Sequence, residues 1–189
     1  PRPDSFRGQG AGNIVAPVGT GYRSAMPAVR HASFAPHVAP DTRLLILGSL
    51  PGVRSLAARQ YYAHPTNQFW RLLGAVVDRP LADMPYDHRL AALREAKVGL
   101  WDVIRSAERH TSSDSLIREA EAHDLAALIA ELRDLSMVAF NGGTAAAIGR
   151  KQLPPLDRIT LVDLPSSSAA HTIGFDKKRD RWLALRGAL

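Results

Sequence analysis

Cysteine is absent from all 189 residues. Disulfides and thiolate chemistry are therefore excluded, and an intracellular home fits. The expected location is the cytoplasm, in association with the nucleoid if the source is prokaryotic. No apolar run approaches the roughly 18 residues of a spanning helix, so no membrane partner is expected. The first residues lack a charged stretch followed by an apolar one, so no secretory signal is expected either. The chain opens on Pro1 rather than Met, and trimming at this end is the expectation. Internal repeats are missing. Acidic residues are in deficit, 18 Asp and Glu against 24 Lys and Arg, for a formal net charge of +6 and a pI near 10.2. A basic domain of this size suggests an anionic partner, usually DNA or RNA, although many soluble proteins are as basic without one. What is present is ordinary for a globular protein: 46% hydrophobic and 22% charged residues, at a length that suits one domain with one core.

Residues 1–39 differ from the rest. They are rich in Gly, Pro, Ala and Ser, without a sustained period, and read as an irregular, mildly basic tail. A domain over 40–189 follows. Arg43 to Gly48 is a short apolar run closed by Gly, the mark of a buried strand. Strands are also expected over Val98–Ile104, Met137–Phe140 and Ile159–Val162. Helices are expected over Asn67–Val77, His88–Ala96, Ser113–Glu119, Asp124–Asp134, Thr144–Arg150 and Phe175–Arg186. Strands alternating with helices argue a parallel sheet covered on both faces. Ligands of such sheets gather at the carboxyl ends of the strands. Three strand ends carry small or polar residues, Gly48-Ser49, Asn141-Gly142 and Pro165-Ser166, and they should share one rim.

Three motifs at that rim permit chemistry. The first is Gly48-Ser49-Leu50-Pro51-Gly52, followed by Tyr61-Tyr62-Ala63-His64-Pro65-Thr66-Asn67-Gln68-Phe69-Trp70. Glycine lets backbone approach a ligand closely. Tyr62 offers a flat face to a planar base, or packs in the core. Asn67 presents an amide near a helix start, or caps that helix. The second is Phe140-Asn141-Gly142-Gly143. An amide at a strand end can accept from a ring N–H and donate to the adjacent carbonyl, the edge that uracil and hypoxanthine share; cytosine and adenine show the reverse. Asn141 discriminates only if neighbours hold it in one orientation, and a turn or cap is the plainer reading. The third is Leu164-Pro165-Ser166-Ser167-Ser168-Ala169-Ala170-His171. Small hydroxyls and free backbone N–H groups suit phosphate, and a short rigid loop can press into a duplex that a base has left. A Ser/Ala loop of no special use is the alternative. Behind it, Lys177, Lys178 and Arg179 hold DNA electrostatically or solvate the last helix.

Taken together, residues 43–185 resemble the uracil-DNA glycosylase superfamily, with the best match in its hypoxanthine-DNA glycosylase branch. The Gly48–Gly52 and Leu164–Ser168 segments look like that branch's two motifs. The Tyr61–Trp70 segment is also similar to the mismatch-specific uracil and thymine glycosylases, and Gly99-Leu100-Trp101-Asp102-Val103 and Ser112-Ser113-Asp114 fit the branch. The tail before residue 40 lies outside the resemblance. The resemblance implies a three-layer α/β/α sandwich around a short, mostly parallel sheet, base flipping, and hydrolysis of the N-glycosidic bond with no metal and no cofactor. It implies DNA carrying a damaged base as partner; a monomer is the expectation for the chain. Asn67 matches the essential amide, Tyr62 the aromatic that stacks on the flipped base, and Asn141 with Gly48 and Phe140 the base-reading positions. Pro165, Ser166, Ser167, Ser168, His171, Lys177 and Lys178 would contact DNA. Two positions depart from better-known relatives: Ser49 stands where many carry Asp or Asn, and Leu164 where many carry His. Both departures suit the hypoxanthine branch.

In the expected reaction, bond breaking runs ahead of water attack, so a weak nucleophile suffices. Asn67 orients the water, and backbone N–H groups near Gly48 and Ser49 stabilise charge on the leaving base. No lysine lies inside the motifs, which disfavours a Schiff-base lyase. Four alternatives stand beside this: a uracil or mismatch glycosylase; a DNA-binding homologue without catalysis; a serine hydrolase on Ser49, His64 and Asp102, which lacks Gly-x-Ser-x-Gly; and a nucleotide-phosphate enzyme on Gly142-Gly143-Thr144, which lacks the phosphate-loop lysine.

Overall fold

The computed structural model describes residues 30–108 and 118–189. Its centre is a four-stranded parallel sheet in the order β3-β2-β6-β7, formed by β2 (Leu44–Gly48), β3 (Val98–Asp102), β6 (Met137–Asn141) and β7 (Thr160–Leu164). Every residue of β2 is buried. A strand alternates its side chains between faces, so a strand covered on both sides has no polar side, and an unbroken apolar run results. Leu44 and Ile46 enter one core with Leu100 and Ala139. Leu45 and Leu47 enter the other with Trp101, Val138 and Phe140.

Helices cover both faces. On the first lie α2 (Phe69–Val77), α3 (Tyr86–Glu95) and α6 (Phe175–Trp182); on the second, α4 (Leu125–Glu131) and α5 (Gly143–Gly149). The apolar stripe of α2 explains its docking: Phe69, Trp70, Leu72, Leu73 and Val76 fall on one side of the helix and are all buried. Asp124 caps α4, its carboxylate accepting from the Ala127 N–H at 3.0 Å. The expected three-layer sandwich is therefore present.

Four local readings differ from the expectation. The segment 98–104 does not run on as one strand: β3 ends at Asp102, and β4 (Ile104–Glu108) begins in a second, antiparallel sheet, where it lies between β1 (Arg30–Ala32) and β5 (Arg118–Ala122). The helix expected over Ser113–Glu119 falls mostly outside the described residues. Its last two positions, Arg118 and Glu119, open strand β5 (Arg118–Ala122) instead. The sequence Arg-Glu-Ala-Glu-Ala has helical propensity, but ladder pairing with β4 and the ion pairs of Glu121 with Arg30 and Arg105 outweigh it. Residues 30–39 belong to the fold rather than to an irregular tail. Arg30–Ala32 form β1 against β4, and His37 bridges to Leu100 of β3. Finally, the last α-helix stops at Trp182 and tightens into a 3₁₀ turn over Leu183–Ala188. A short helix not anticipated, α1 (Val53–Ala58), follows the Gly48–Gly52 segment.

Candidate active site

The three strand ends do share a rim. Gly48 and Ser49, Asn141 and Gly142, and Ser166 border one cavity of about 600 Å³. Tyr62 and Asn67 enter it from the segment before α2, and residues 166–171 close it from the side of β7.

Tyr62 takes φ 53°, a left-handed conformation rare for a bulky residue. Packing holds it there. Its ring lies flat on Phe69, centroids 3.6 Å apart and planes 10° apart. Phe69 is in turn edge-on to Trp70 at 5.2 Å and Trp182 at 5.6 Å. Each such pair contributes about 0.5–1.5 kcal/mol beyond area burial, so the ring is fixed before any ligand arrives. Gly48 makes the approach possible. A Cβ there would lie 2.6 Å from Asp102 Oδ1 and 2.9 Å from the Tyr62 hydroxyl.

Asn67 is not the N-cap of α2, a place that Gln68 takes. One residue earlier, its Oδ1 accepts from the Phe69 N–H at 2.9 Å, satisfying the first N–H of the helix, and the residue lines the cavity. That bond sets the amide's orientation, with oxygen toward the helix. His64 buttresses this turn: its Nδ1 meets Thr66 Oγ1 at 2.9 Å. A hydrolase relay through His64 and Asp102 would need that same Nδ1, so the serine-hydrolase reading loses its geometry.

Asn141 is held at both ends by one residue. Its Oδ1 accepts from the Ser167 N–H at 2.8 Å, and its Nδ2 donates to Ser167 Oγ at 2.9 Å. The amide therefore has one orientation, with one lone pair and one N–H left for other partners. Gly142 follows at φ +100°, where a Cβ would also press to 3.0 Å from that of Ser166. Ser167 carries a third bond, its carbonyl accepting from the Gln68 N–H at 2.9 Å. It thus ties β6, the serine loop and the start of α2 together.

The expected DNA contacts divide. Ser167 is 1% exposed, and its hydroxyl is spent on Asn141, so it does not face phosphate. Ser166 Oγ accepts from the Ser168 N–H and Ser168 Oγ from the Ala170 N–H, both at 3.2 Å, which folds the loop on itself. Lys178 is fully buried and donates to the Ser168 carbonyl at 2.9 Å; burial pushes its ammonium pKa down. It fastens the loop from behind rather than touching DNA. Pro165 is held from below as well, its carbonyl accepting from Trp182 Nε1 at 3.1 Å. Lys177 and His171 are exposed, and His171 lines the cavity mouth. Phe140 is a correction: its ring is fully buried in the second core, against Gly149 of α5, and does not line the cavity.

Sequence reasoning assigned no part in excision to two residues at this site. Arg54 of α1 lines the cavity as its sole Lys or Arg among the described residues. Asp102, 3% exposed at the end of β3, lines it as the sole carboxylate. Ser33 Oγ donates to Asp102 Oδ2 at 2.8 Å. Burial drives the nearby Tyr61 hydroxyl's pKa far up, and the charge of Asp102 adds to that shift. The Gly99–Val103 motif pointed to this place without saying what Asp102 would meet.

Comparison with known proteins agrees with this geometry. The profile of the uracil DNA glycosylase superfamily matches residues 35–186. A hypoxanthine DNA glycosylase of Methanosarcina acetivorans is 37% identical over 145 residues, which is 77% of this chain and 90% of that protein. A protein of the same description from Methanosarcina barkeri is 40% identical over 114 residues, 60% of this chain and 72% of that one. A solution NMR structure from Methanosarcina acetivorans, described as a candidate uracil DNA glycosylase, superposes with a TM-score of 0.74 at 33% identity, covering 85% of this chain and 99% of the other.

Proposed function

The chain belongs to the uracil DNA glycosylase superfamily, and on that premise we propose that it excises hypoxanthine from DNA by hydrolysing the N-glycosidic bond of a flipped deoxyinosine. That it is a DNA glycosylase follows from the family; the choice of base is our reading. The observation that carries it is the clamped amide of Asn141. With Ser167 taking the amide's paired O/N edge, the one N–H left on Nδ2 is held in a fixed direction, where it can donate to the carbonyl edge of hypoxanthine and would meet an amino group on adenine. Uracil shares that edge, and the two similar proteins described as hypoxanthine DNA glycosylases favour the purine.

The remaining residues divide the work. A flipped base stacks on Tyr62, whose ring Phe69 and Trp182 keep in place. Breaking of the C1′–N bond leads, and positive charge gathers on the sugar. Asn67 is a neutral amide and no useful base. It holds the attacking water with the Oδ1 lone pair that the Phe69 N–H leaves over and with Nδ2. Lys177, His171 and the backbone of the serine loop meet the phosphates, along with Arg54 at the cavity wall.

Chromatography of the free base released from duplexes carrying one deoxyinosine or one deoxyuridine tests the assignment. Hypoxanthine released faster than uracil is the expected result. Uracil released faster would keep the reaction and move the substrate. Binding without release of any base would overturn the reading.

A further inference from the structure

We propose that Asp102 supplies the negative charge against which the sugar cation forms, and that Ser33, in the segment before residue 40, holds it there. The inference rests on the glycosylase reading above and adds a residue to it. Asn67 turns its oxygen toward α2, and Asn141 is clamped by Ser167. Neither carries charge. Asp102 is the one carboxylate lining the cavity among the described residues. It stands at the carboxyl end of β3, level with Gly48 of β2, where ligands of parallel sheets gather.

Its two oxygens face different ways. Oδ2 accepts from Ser33 Oγ at 2.8 Å. Oδ1 lies against Gly48, 2.6 Å from where a Cβ would be. A glycine is needed at position 48 for the carboxylate to sit so close to the Ser49 end of the cavity. At 3% exposure the carboxylate acts in a medium that screens it little, so its pull on a developing cation is far stronger than in water. The segment carrying Ser33 is anchored along its length. The Ser33 N–H donates to the Arg105 carbonyl at 2.8 Å, Trp101 Nε1 to the Phe34 carbonyl at 3.1 Å, and the Tyr61 hydroxyl to the Ala35 carbonyl at 3.1 Å.

The C1′–N bond breaks and its electron pair leaves on the base, which takes a proton from solvent. The oxygen of water bonds to C1′, and the surplus proton of that water passes to the Asp102 carboxylate and on to solvent. Other groups around the carboxylate can also titrate or carry charge: Tyr61, Tyr62, His64, Arg54 and His171 line the cavity, and His37 and His123 flank β3. The test must therefore separate Asp102 from them.

Single-turnover excision of the released base, measured from roughly pH 4 to 8 for wild type, Asp102→Asn and Ser33→Ala, does so. Asp102→Asn keeps shape and loses charge. It should lose about 100-fold or more in rate with duplex affinity within about twofold, and its profile should lose the acid limb. Ser33→Ala removes a bond that favours the charged form, so its acid limb should move to higher pH. An Asp102→Asn rate within about threefold of wild type, or an unchanged acid limb in it, would overturn the proposal and hand the limb to a histidine. Should Asp102→Asn fail to fold by thermal melting, Ser33→Ala decides alone, and a limb that does not move overturns the proposal. No base released by wild type at all would instead sink the glycosylase reading.

Discussion

Two segments frame the cavity, and they use their side chains in opposite ways. The segment 61–67 sends Tyr62 and Asn67 into the cavity from a turn braced by α2. The serine loop 165–171 turns its hydroxyls on itself and on Asn141, while Lys178 and Trp182 hold its carbonyls from behind. The first presents chemistry; the second presents a prebuilt backbone. Hydroxyl and ammonium groups in a basic protein look like phosphate contacts, yet burial decides whether they can reach any. Adjacent lysines make the point: Lys177 is exposed and Lys178 is fully buried.

Substitutions can break that contrast. Tyr62→Ala removes the stacking platform. Excision should fall about tenfold to a hundredfold, as expected for about 1–3 kcal/mol of base stacking. Single-turnover rates with duplex affinity measured beside them would register it. Ser167→Ala leaves Asn141 Nδ2 without its acceptor and frees one end of the amide. A stability loss of about 1 kcal/mol in denaturant melts is expected, together with poorer discrimination of deoxyinosine from deoxyadenosine. Were discrimination unchanged, the clamp would be mere scaffolding. The lysine pair sharpens the comparison further. Lys177→Ala should weaken duplex binding and reduce the salt slope of log affinity by about 1, whereas Lys178→Met should leave the slope alone. Equal slopes in both variants would contradict the division between them.

The smallest effect is a pH dependence at the segment that braces β3. Burial chiefly, with Arg94 adding to it, lowers the pKa of His37, against the opposing bond to the Leu90 carbonyl. The folded state then binds fewer protons than the unfolded state between that lowered value and about 6.5, so stability falls as pH drops through this window. Desolvation lowers the pKa of His123 as well, with the same sign. Denaturant midpoints from about pH 7 to 5 should fall less steeply for His37→Gln than for wild type. A parallel fall in both would remove His37 from the account.

Much of this was legible in the sequence where local pattern and tertiary role coincide. The apolar run ending in Gly48 is a strand because it is buried on both faces, and the Asn67 motif lies at a helix start because its amide accepts from the first N–H of that helix. Legibility failed where the deciding partner is distant. Ser33 and Asp102 are 69 residues apart, and nothing local announces their bond. Ser167 and Lys178 were misread because residue type says what a side chain can do, not which way the fold turns it. Phe140, beside Asn141 in the chain, points to the opposite side because strand neighbours alternate. Strand β5 was hidden by helical composition that pairing overrides.

The most direct test of the division between the two segments is single-turnover excision of deoxyinosine by Asn67→Ala beside wild type, at saturating enzyme, with affinity measured on the same duplex. Loss of the water-holding amide should lower the rate by at least about 100-fold, while affinity stays within about twofold because the serine loop and Lys177 are intact. The lost bond to the Phe69 N–H should cost about 1 kcal/mol of stability, too little to unfold the domain. A rate near wild type would contradict the account, and would mean that the 61–67 segment shapes the cavity without taking part in the reaction.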